Sequence, residues 1–329
     1  METSLWLWLG FNLGVVALLA LDLGVLHRKQ REIGVSEALW LSAGYLLIAL
    51  LFAAGIFHFR GEQAGFEFLT GYLIEKSLSL DNIFVIALIF AHFAVPAQYQ
   101  HRVLFWGILG ALFMRALLIW AGATLLSNFH WVVFVFGAFL LVTGVKMLLA
   151  ANAKPDLARN RLLLMARRHL RVTDAYHGEK FLVRRDGVLW ATPLFLVLLL
   201  VEATDLVFAV DSIPAIFAVT QDPFIVYTAN VFAILGLRAL YFALVGIIHR
   251  FHYLKYALSL VLVVIGGKMI LNGIFGEKVI PTEIALAITA VLIFGSMALS
   301  LLRPKSSAED ATATGWIPGS RRLDPDPPG

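Results

Sequence analysis

The chain contains no cysteine. Disulfides, thiolate metal sites and dithiol redox motifs are therefore excluded. Charge is also scarce. Asp, Glu, Lys and Arg make up 15% of the residues, where a soluble protein carries about 25%. The metalloprotease signature His-Glu-x-x-His is absent, which removes zinc proteolysis from the candidate activities. The first residues, Met-Glu-Thr-Ser, lack the basic region of a cleavable signal. The first apolar segment is therefore expected to stay as a helix.

What is present is apolar. Hydrophobic residues fill 60% of the chain, and the mean hydropathy is +0.83. The expected fold is an all-α polytopic membrane protein, with one transmembrane domain over residues 1–303. Nine apolar runs are long enough to cross ~30 Å of hydrocarbon. They are Leu5–Leu26, Leu39–Phe59, Phe66–Phe93, Val103–Leu126, Trp131–Ala151, Leu189–Val219, Phe224–Ile248, Leu254–Ile274 and Glu283–Leu302. Nineteen Lys and Arg residues fall in one set of alternate loops and the tail, and only Arg60 and Lys278 in the other. The basic side stays in the cytoplasm, so the N-terminus is expected outside and the C-terminus inside. Residues 152–187 form the one sizeable hydrophilic loop, expected to be cytoplasmic. Within it, Arg159–Leu170 has helix-like apolar spacing that suits an anionic membrane surface. The plainer reading is a solvated loop that sets topology. Residues 304–329 are rich in Ser, Ala, Asp and Pro and are expected to be a disordered cytoplasmic tail. The net charge of +4 calls for no nucleic-acid partner, because the basic residues lie in short loops.

Spans three to five resemble spans six to eight. The acidic pair Glu75 and Asp81 is matched by Asp205 and Asp211, offset by 130. Ile108–Gly110 and Arg115–Leu117 are matched by Ile234–Gly236 and Arg238–Leu240, offset by 126 and 123. Gly144-Val-Lys-Met-Leu148 is matched by Gly266-Gly-Lys-Met-Ile270, offset by 122. The units cover about 66–151 and 189–274. Each has three spans, so the second enters the membrane from the opposite side. Inverted repeats of this kind typify secondary transporters, whose site lies at the repeat interface near the midplane.

Asp22, Glu75, Asp81, Glu202, Asp205 and Asp211 lie inside these apolar runs. An ionisable group at mid-bilayer costs roughly 3 kcal/mol or more, and such groups face cavities that handle ions or protons. Six residues along a helix are ~9 Å of rise and ~240° of rotation. Neither six-residue pair therefore shares a face of an unbroken helix. Pro214 is expected to loosen the backbone around Asp211, Ser212 and Ile213. The third span has no proline; if it stays straight, only one of Glu75 and Asp81 faces the site. Glu202 and Asp205, at i and i+3, share a face. The candidate cation ligands are Glu75, Asp81, Asn82, Glu202, Asp205, Asp211 and Ser212. Ser77, Ser79, Thr204, Thr220, Thr228 and Asn230 add oxygens nearby. An all-oxygen set suits Mg²⁺, Ca²⁺ or Mn²⁺, whereas zinc and copper want His or Cys. His92, near a helix end, reads as packing. Lys146, Lys268, Arg115 and Arg238 are expected as buried bases paired with carboxylates. Protonation of the acids, or displacement of a Lys partner, would couple cation release to proton uptake. Asp22, outside the repeats, suits a structural salt bridge as well as the pathway.

Glu202-Ala-Thr-Asp-Leu-Val-Phe-Ala-Val-Asp-Ser-Ile-Pro-Ala-Ile-Phe and Asn230-Val-Phe-Ala-Ile-Leu-Gly-Leu-Arg-Ala resemble the TerC family of integral membrane proteins. So do Asp222-Pro-Phe-Ile-Val and Gly71-Tyr-Leu-Ile-Glu-Lys-Ser-Leu-Ser-Leu-Asp-Asn. With nine spans the chain is most similar to the Alx branch, and the resemblance covers roughly residues 10–300. It implies export of a divalent metal cation, mainly Mn²⁺, across the bacterial inner membrane, with no tightly bound cofactor. Glu75, Asp81, Glu202, Asp205 and Asp211 fall on the family's acidic positions, beside Asn82 and Ser212. Some members are described as redox modulators; without cysteine, a thiol-based version is closed to this chain alone.

The expected class is thus a transporter and no enzyme. A two-aspartate protease stays formally open, but clustered acids in an inverted repeat fit ion binding better. The alternative is a membrane scaffold or a component of envelope stress or tellurite resistance. It would act through secretion or envelope partners, with the loop 152–187 as its contact surface.

Overall fold

The computed structural model describes residues 5–24, 34–149, 163, 165, 168–185, 187–245, 251–275 and 281–303, excepting the side chains of residues 21–24 and 81. The expectations for Asp22, for the Asp81 side chain, for most of Arg159–Leu170 and for the tail lie outside the described residues. Ten α-helices occur in order among those described. They are α1 Leu5–Gly24, α2 Val35–Arg60, α3 Glu62–His92, α4 Ala97–Asn128, α5 Val132–Leu149, α6 Pro193–Phe217, α7 Pro223–Leu235, α8 Leu237–Leu244, α9 Leu254–Phe275 and α10 Thr282–Leu302. Seven spans are long and apolar enough to cross a membrane: α2, α4, α5, α6, α7 with α8, α9 and α10. The apolar stretch of α1 is shorter, and α3 carries Glu67, Glu75, Lys76 and Asp81 in its length.

Three sequence expectations change. First, the fold is not wholly helical. Strands β1, Leu182–Arg185, and β2, Val188–Ala191, form an antiparallel hairpin inside the hydrophilic loop. The Asp-Gly dipeptide at 186–187 is a strong hairpin signal, and Gly187 has the positive φ, +77°, that such a turn requires. Second, the sixth helix begins at Pro193, because the residues from Val188 to Ala191 are strand. Third, the span over Phe224–Ile248 is interrupted at Gly236, between α7 and α8. Conversely, Pro214 lies inside α6 without ending it, and the helix runs three residues further.

Helices α3, α4, α6 and α7 form the centre, each packed on at least two of the others. In the α7–α8 span 89% of the apolar stretch is buried, against 44% or less in the other six spans. That span is therefore the interior element, and the others present an apolar flank outward. Helix α1 is held chiefly by aromatic contacts. Trp8 meets Phe224 and Tyr227, and Phe11 meets Phe52, Phe224 and Phe232, at centroid distances of 5.2–6.0 Å. Asp222 caps α7 by accepting from the Phe224 and Ile225 amides at 2.9 and 3.4 Å, with Pro223 in the first turn.

Helices α5 and α9 make the most extensive helix pair. Their glycines explain the close approach. A Cβ on Gly266 would lie 2.9 Å from the Gly137 carbonyl oxygen and 2.9 Å from Leu140 Cβ, and one on Gly144 would lie 2.8 Å from the Ser259 oxygen. Small residues that let backbones meet are the usual basis of helix association in lipid. Both glycines belong to the Gly-x-Lys-Met signatures.

Gly266→Ala is therefore expected to destabilise the purified protein by about 1–3 kcal/mol through overpacking. At Gly267 a Cβ meets nothing within 4 Å, so Gly267→Ala should be neutral or stabilising by up to about 1 kcal/mol. Thermal unfolding in detergent checks the pair; equal melting temperatures would contradict the packing described.

Candidate functional site

Charged residues from three of the central helices meet at mid-helix. Glu75 on α3, Arg115 on α4 and Asp205 on α6 each lie 12 or more residues from either helix end. That is ~18 Å of helix on each side. The Arg115 side chain is 2% exposed and that of Glu75 1%. Arg115 Nε donates to Asp205 Oδ2 at 3.2 Å and Nη2 to Asp205 Oδ1 at 2.9 Å. This is the bidentate pairing that a planar guanidinium allows. Nη1 donates to Glu75 Oε1. The same nitrogen also reaches Asn230 Oδ1 on α7 at 3.2 Å and Ser212 Oγ on α6 at 3.4 Å. Asn82 Nδ2 on α3 donates to Asp205 Oδ1 at 3.4 Å.

Among the described residues, several buried polar atoms around this cluster have no hydrogen-bond partner. They include the acceptors Glu75 Oε2, Asn82 Oδ1 and Glu202 Oε2 and the donor Asn230 Nδ2. Buried polar atoms are normally satisfied, so unsatisfied ones point to a missing water, ion or functional strain. A cavity of about 20 Å³ lies against Asn82, Thr204 and Asp205, walled by Gly107, Ile108 and Val201. A single water needs roughly 10–15 Å³ of such space. A much larger cavity, about 660 Å³, lies between α1, α4 and α7 around Trp8, Trp120 and Tyr227 and touches none of these carboxylates.

The sequence candidates divide accordingly. Glu75, Asn82, Asp205, Ser212 and Arg115 come together. Glu202 lies one turn before Asp205, against α4, where Gly110 leaves room for its carboxylate. Asp211 is elsewhere: Thr143 Oγ1 on α5 donates to it at 3.4 Å. That is the ~240° separation from Asp205 acting on an unbroken helix. α3 is also continuous, and it is Glu75 that faces Arg115. Lys268 and Arg238 are buried, at 3% and 4% exposed. Lys146 is corrected, since its side chain is exposed on α5. His92, also exposed, ends α3 far from the cluster.

Two charged residues of α3 escaped the sequence reading. Lys76 Nζ donates to the Ala233 carbonyl at 3.3 Å, in the last turn of α7. Gly236, where α7 stops, leaves room for it, as a Cβ there would lie 2.8 Å from Nζ. The two Ile-Leu-Gly glycines thus both accommodate a charged side chain, Glu202 at Gly110 and Lys76 at Gly236. Glu67, 7% exposed, accepts from Thr220 Oγ1 at 2.6 Å and from Gln63 Nε2 at 2.9 Å. Beside it, Arg60 pairs with Asp222 at 2.6 Å. An acid eight residues before Glu75 in an apolar run was the available signal.

No group of three or more His, Asp or Glu side chains converges at metal-holding distance among the described residues. Arg115 occupies the space between Glu75 and Asp205 instead. Arg115→Met leaves both acids buried without their partner, which costs roughly 3–5 kcal/mol. Arg102, 38% exposed and 3.0 Å from Glu179, belongs to a surface pair, and Arg102→Met should cost about 0–1 kcal/mol. Thermal unfolding of the two variants tests this; comparable losses would contradict the assignment of Arg115 as the buried bridge.

Comparison with known proteins places this chain in a family. The chain is 50% identical over 308 residues to the uncharacterized membrane protein STKORF319 of Myxococcus xanthus, covering 93% of this chain and 96% of that one. It is 45% identical over 305 residues to Alx of Escherichia coli K12, described as a candidate membrane-bound redox modulator, covering 90% and 93%. It is 42% identical over 296 residues to a membrane protein of Rickettsia felis, covering 90% and 97%. No solved structure matches the chain. Residues 60–308 match the integral membrane protein TerC family. The span composition, the relatives and this match agree: the chain is a multi-span membrane protein that belongs to the TerC family.

Proposed function

We propose that this protein exports a divalent metal cation, Mn²⁺ first among the candidates, across the bacterial inner membrane. The observation that supports it best is the mid-helix meeting of Glu75 and Asp205, with three further acceptor oxygens left unsatisfied around them. Carboxylate, amide and hydroxyl oxygens favour hard cations. The absence of cysteine, and of any His in the cluster, argues against softer ones. The family resemblance ranks Mn²⁺ ahead of Ca²⁺ and Mg²⁺.

On this reading the two three-helix units are an inverted pair, the N-terminus is outside and the C-terminus inside. The cargo enters between α3, α4 and α6 and binds Glu75, Asp205 and Asn82, with Glu202 one turn along as the next stop. Asp211, against α5, belongs to a different step of the path or to its walls. The break at Gly236 fits the discontinuous helices that line transporter sites. No covalent step is required, so the protein acts as a carrier and not as an enzyme.

A second reading, a membrane scaffold, is favoured by the folded residues 171–185 and 187–191 in the hydrophilic loop. Tyr176 donates to the Phe93 carbonyl at 2.8 Å, and Glu179 pairs with Arg102. This forms an ordered surface for an envelope or secretion partner. A redox role like that ascribed to Alx would need a group other than a thiol in this chain.

The two readings separate in cells that lack their own manganese exporters. Wild type should lower retained Mn²⁺ several-fold, and Asp205→Asn, at equal membrane abundance, should not. If neither protein changes cellular Mn²⁺, Ca²⁺ or Mg²⁺, the transport reading fails and the scaffold reading replaces it.

A further inference from the structure

We infer that Arg115 is a resident counter-cation, which takes the cargo's place between Glu75 and Asp205 whenever the site is empty. The inference rests on the transport reading above and adds how the empty carrier is stabilised.

The geometry supports exchange better than a fixed bridge. The guanidinium sits where a metal ion bound by both acids would sit. Bidentate contact to Asp205 and one bond to Glu75 use its strong interactions. Its remaining contacts, from the same Nη1, are to neutral oxygens, Asn230 Oδ1 on α7 at 3.2 Å and Ser212 Oγ on α6 at 3.4 Å. Those two neutral acceptors offer a second seat for a displaced guanidinium. An arginine is suited to this because it stays charged and is more weakly hydrated than an ammonium.

Unsatisfied atoms surround this seat. Glu75 Oε2 and Asn82 Oδ1 lack donors although both residues are 4% exposed or less. A five-donor guanidinium leaves those oxygens unused, whereas a cation bound by six or more oxygens would engage them. The cavity of about 20 Å³ beside Asn82 and Asp205 gives an incoming ion a place to wait.

Charge sets the competition. Two ionised carboxylates with one guanidinium carry a net single negative charge. A divalent cation between the acids attracts them more strongly than the single charge of arginine does. The displaced guanidinium stays charged beside the neutral Asn230 and Ser212, so exchange takes the site from one net negative to one net positive charge. Buried unpaired charge is strongly penalised. The empty site therefore keeps Arg115 seated, and a divalent ion can compete for it. The empty carrier can then reorient without a second ion.

The test uses the purified full-length protein with Mn²⁺ alone as the probe. The proteins are wild type, Arg115→Met and Arg115→Lys, with binding read by the loss of the free Mn²⁺ paramagnetic signal. If arginine holds the site about nine-tenths of the time, removing it tightens binding about tenfold. Arg115→Met should therefore bind Mn²⁺ about tenfold more tightly than wild type, and Arg115→Lys should fall between them. Its melting temperature should be depressed without cation and restored by Mn²⁺. In vesicles it should keep Mn²⁺–Mn²⁺ exchange but lose net flux. Should either variant fail to fold alone, purification in Mn²⁺ is expected to recover it, and failure to recover it overturns the inference. Wild type binding Mn²⁺ with Arg115→Met binding no more tightly also overturns it, leaving cation transport intact. Absence of binding to wild type and variants alike overturns the transport reading itself, and this inference with it.

Discussion

A guanidinium buried between two carboxylates cannot be surrounded by loose structure. An ionisable group at mid-bilayer costs roughly 3 kcal/mol or more in isolation, and a buried one in an apolar bundle is penalised likewise. The mutual attraction of the three groups offsets that cost only when geometry is tight and water is excluded. Arg115 satisfies Asp205 with two donors and Glu75 with a third. The helices that supply these groups must therefore stay in register, and α3, α4, α6 and α7 pack as one centre. The remaining helices complete the bundle around that centre.

The same constraint explains where the small residues lie. Gly110 gives Glu202 space on α4, and Gly236 gives Lys76 space at the end of α7. A cation at a helix C-terminus is favoured by the helix dipole, so Lys76 stabilises an interruption that would otherwise expose carbonyls. Gly144 and Gly266 let α5 and α9 touch backbone to backbone. Glycine here permits charge and close packing inside an apolar bundle. At the Arg60 end of α3, Glu67, Thr220, Asp222 and Arg60 form a second polar network. Polar groups thus occur both at the middle of α3 and at its start.

Much of this was legible in the sequence. Apolar length located seven of the nine expected spans, because lipid demands about 20 apolar residues per helix, while α1 and α3 are helices that fall short of that measure. Acids within those spans identified Glu75, Glu202 and Asp205 together with Asp22, Asp81 and Asp211, and Arg115 was one of four bases expected to pair with carboxylates, with no acid assigned to it. Which member of each six-residue pair faces the site was not legible, because it depends on whether the helix bends. Pro214 read as a break, yet it lies so near the end of α6 that Asp205 and Ser212, seven residues and about two turns apart, still face Arg115 together. Lys146 and Lys268 share a signature but not an environment: one is exposed and the other 3% exposed. Burial is set by neighbouring helices that local sequence does not name. The hairpin at 182–191 was missed because topology counting treats a loop only as charge. Lys76 and Glu67 were missed because a single charge beside a motif reads as part of it.

The central claim is that these carboxylates carry a divalent cation through the membrane. The most direct measurement is Mn²⁺ entry into sealed lipid vesicles containing only this protein, followed by quenching of a trapped metal-sensitive dye. The account predicts saturable Mn²⁺ flux that is abolished when Glu75→Gln and Asp205→Asn are combined in a protein that still folds. Flux equal to that of protein-free vesicles, or flux unchanged in the double variant, would contradict it.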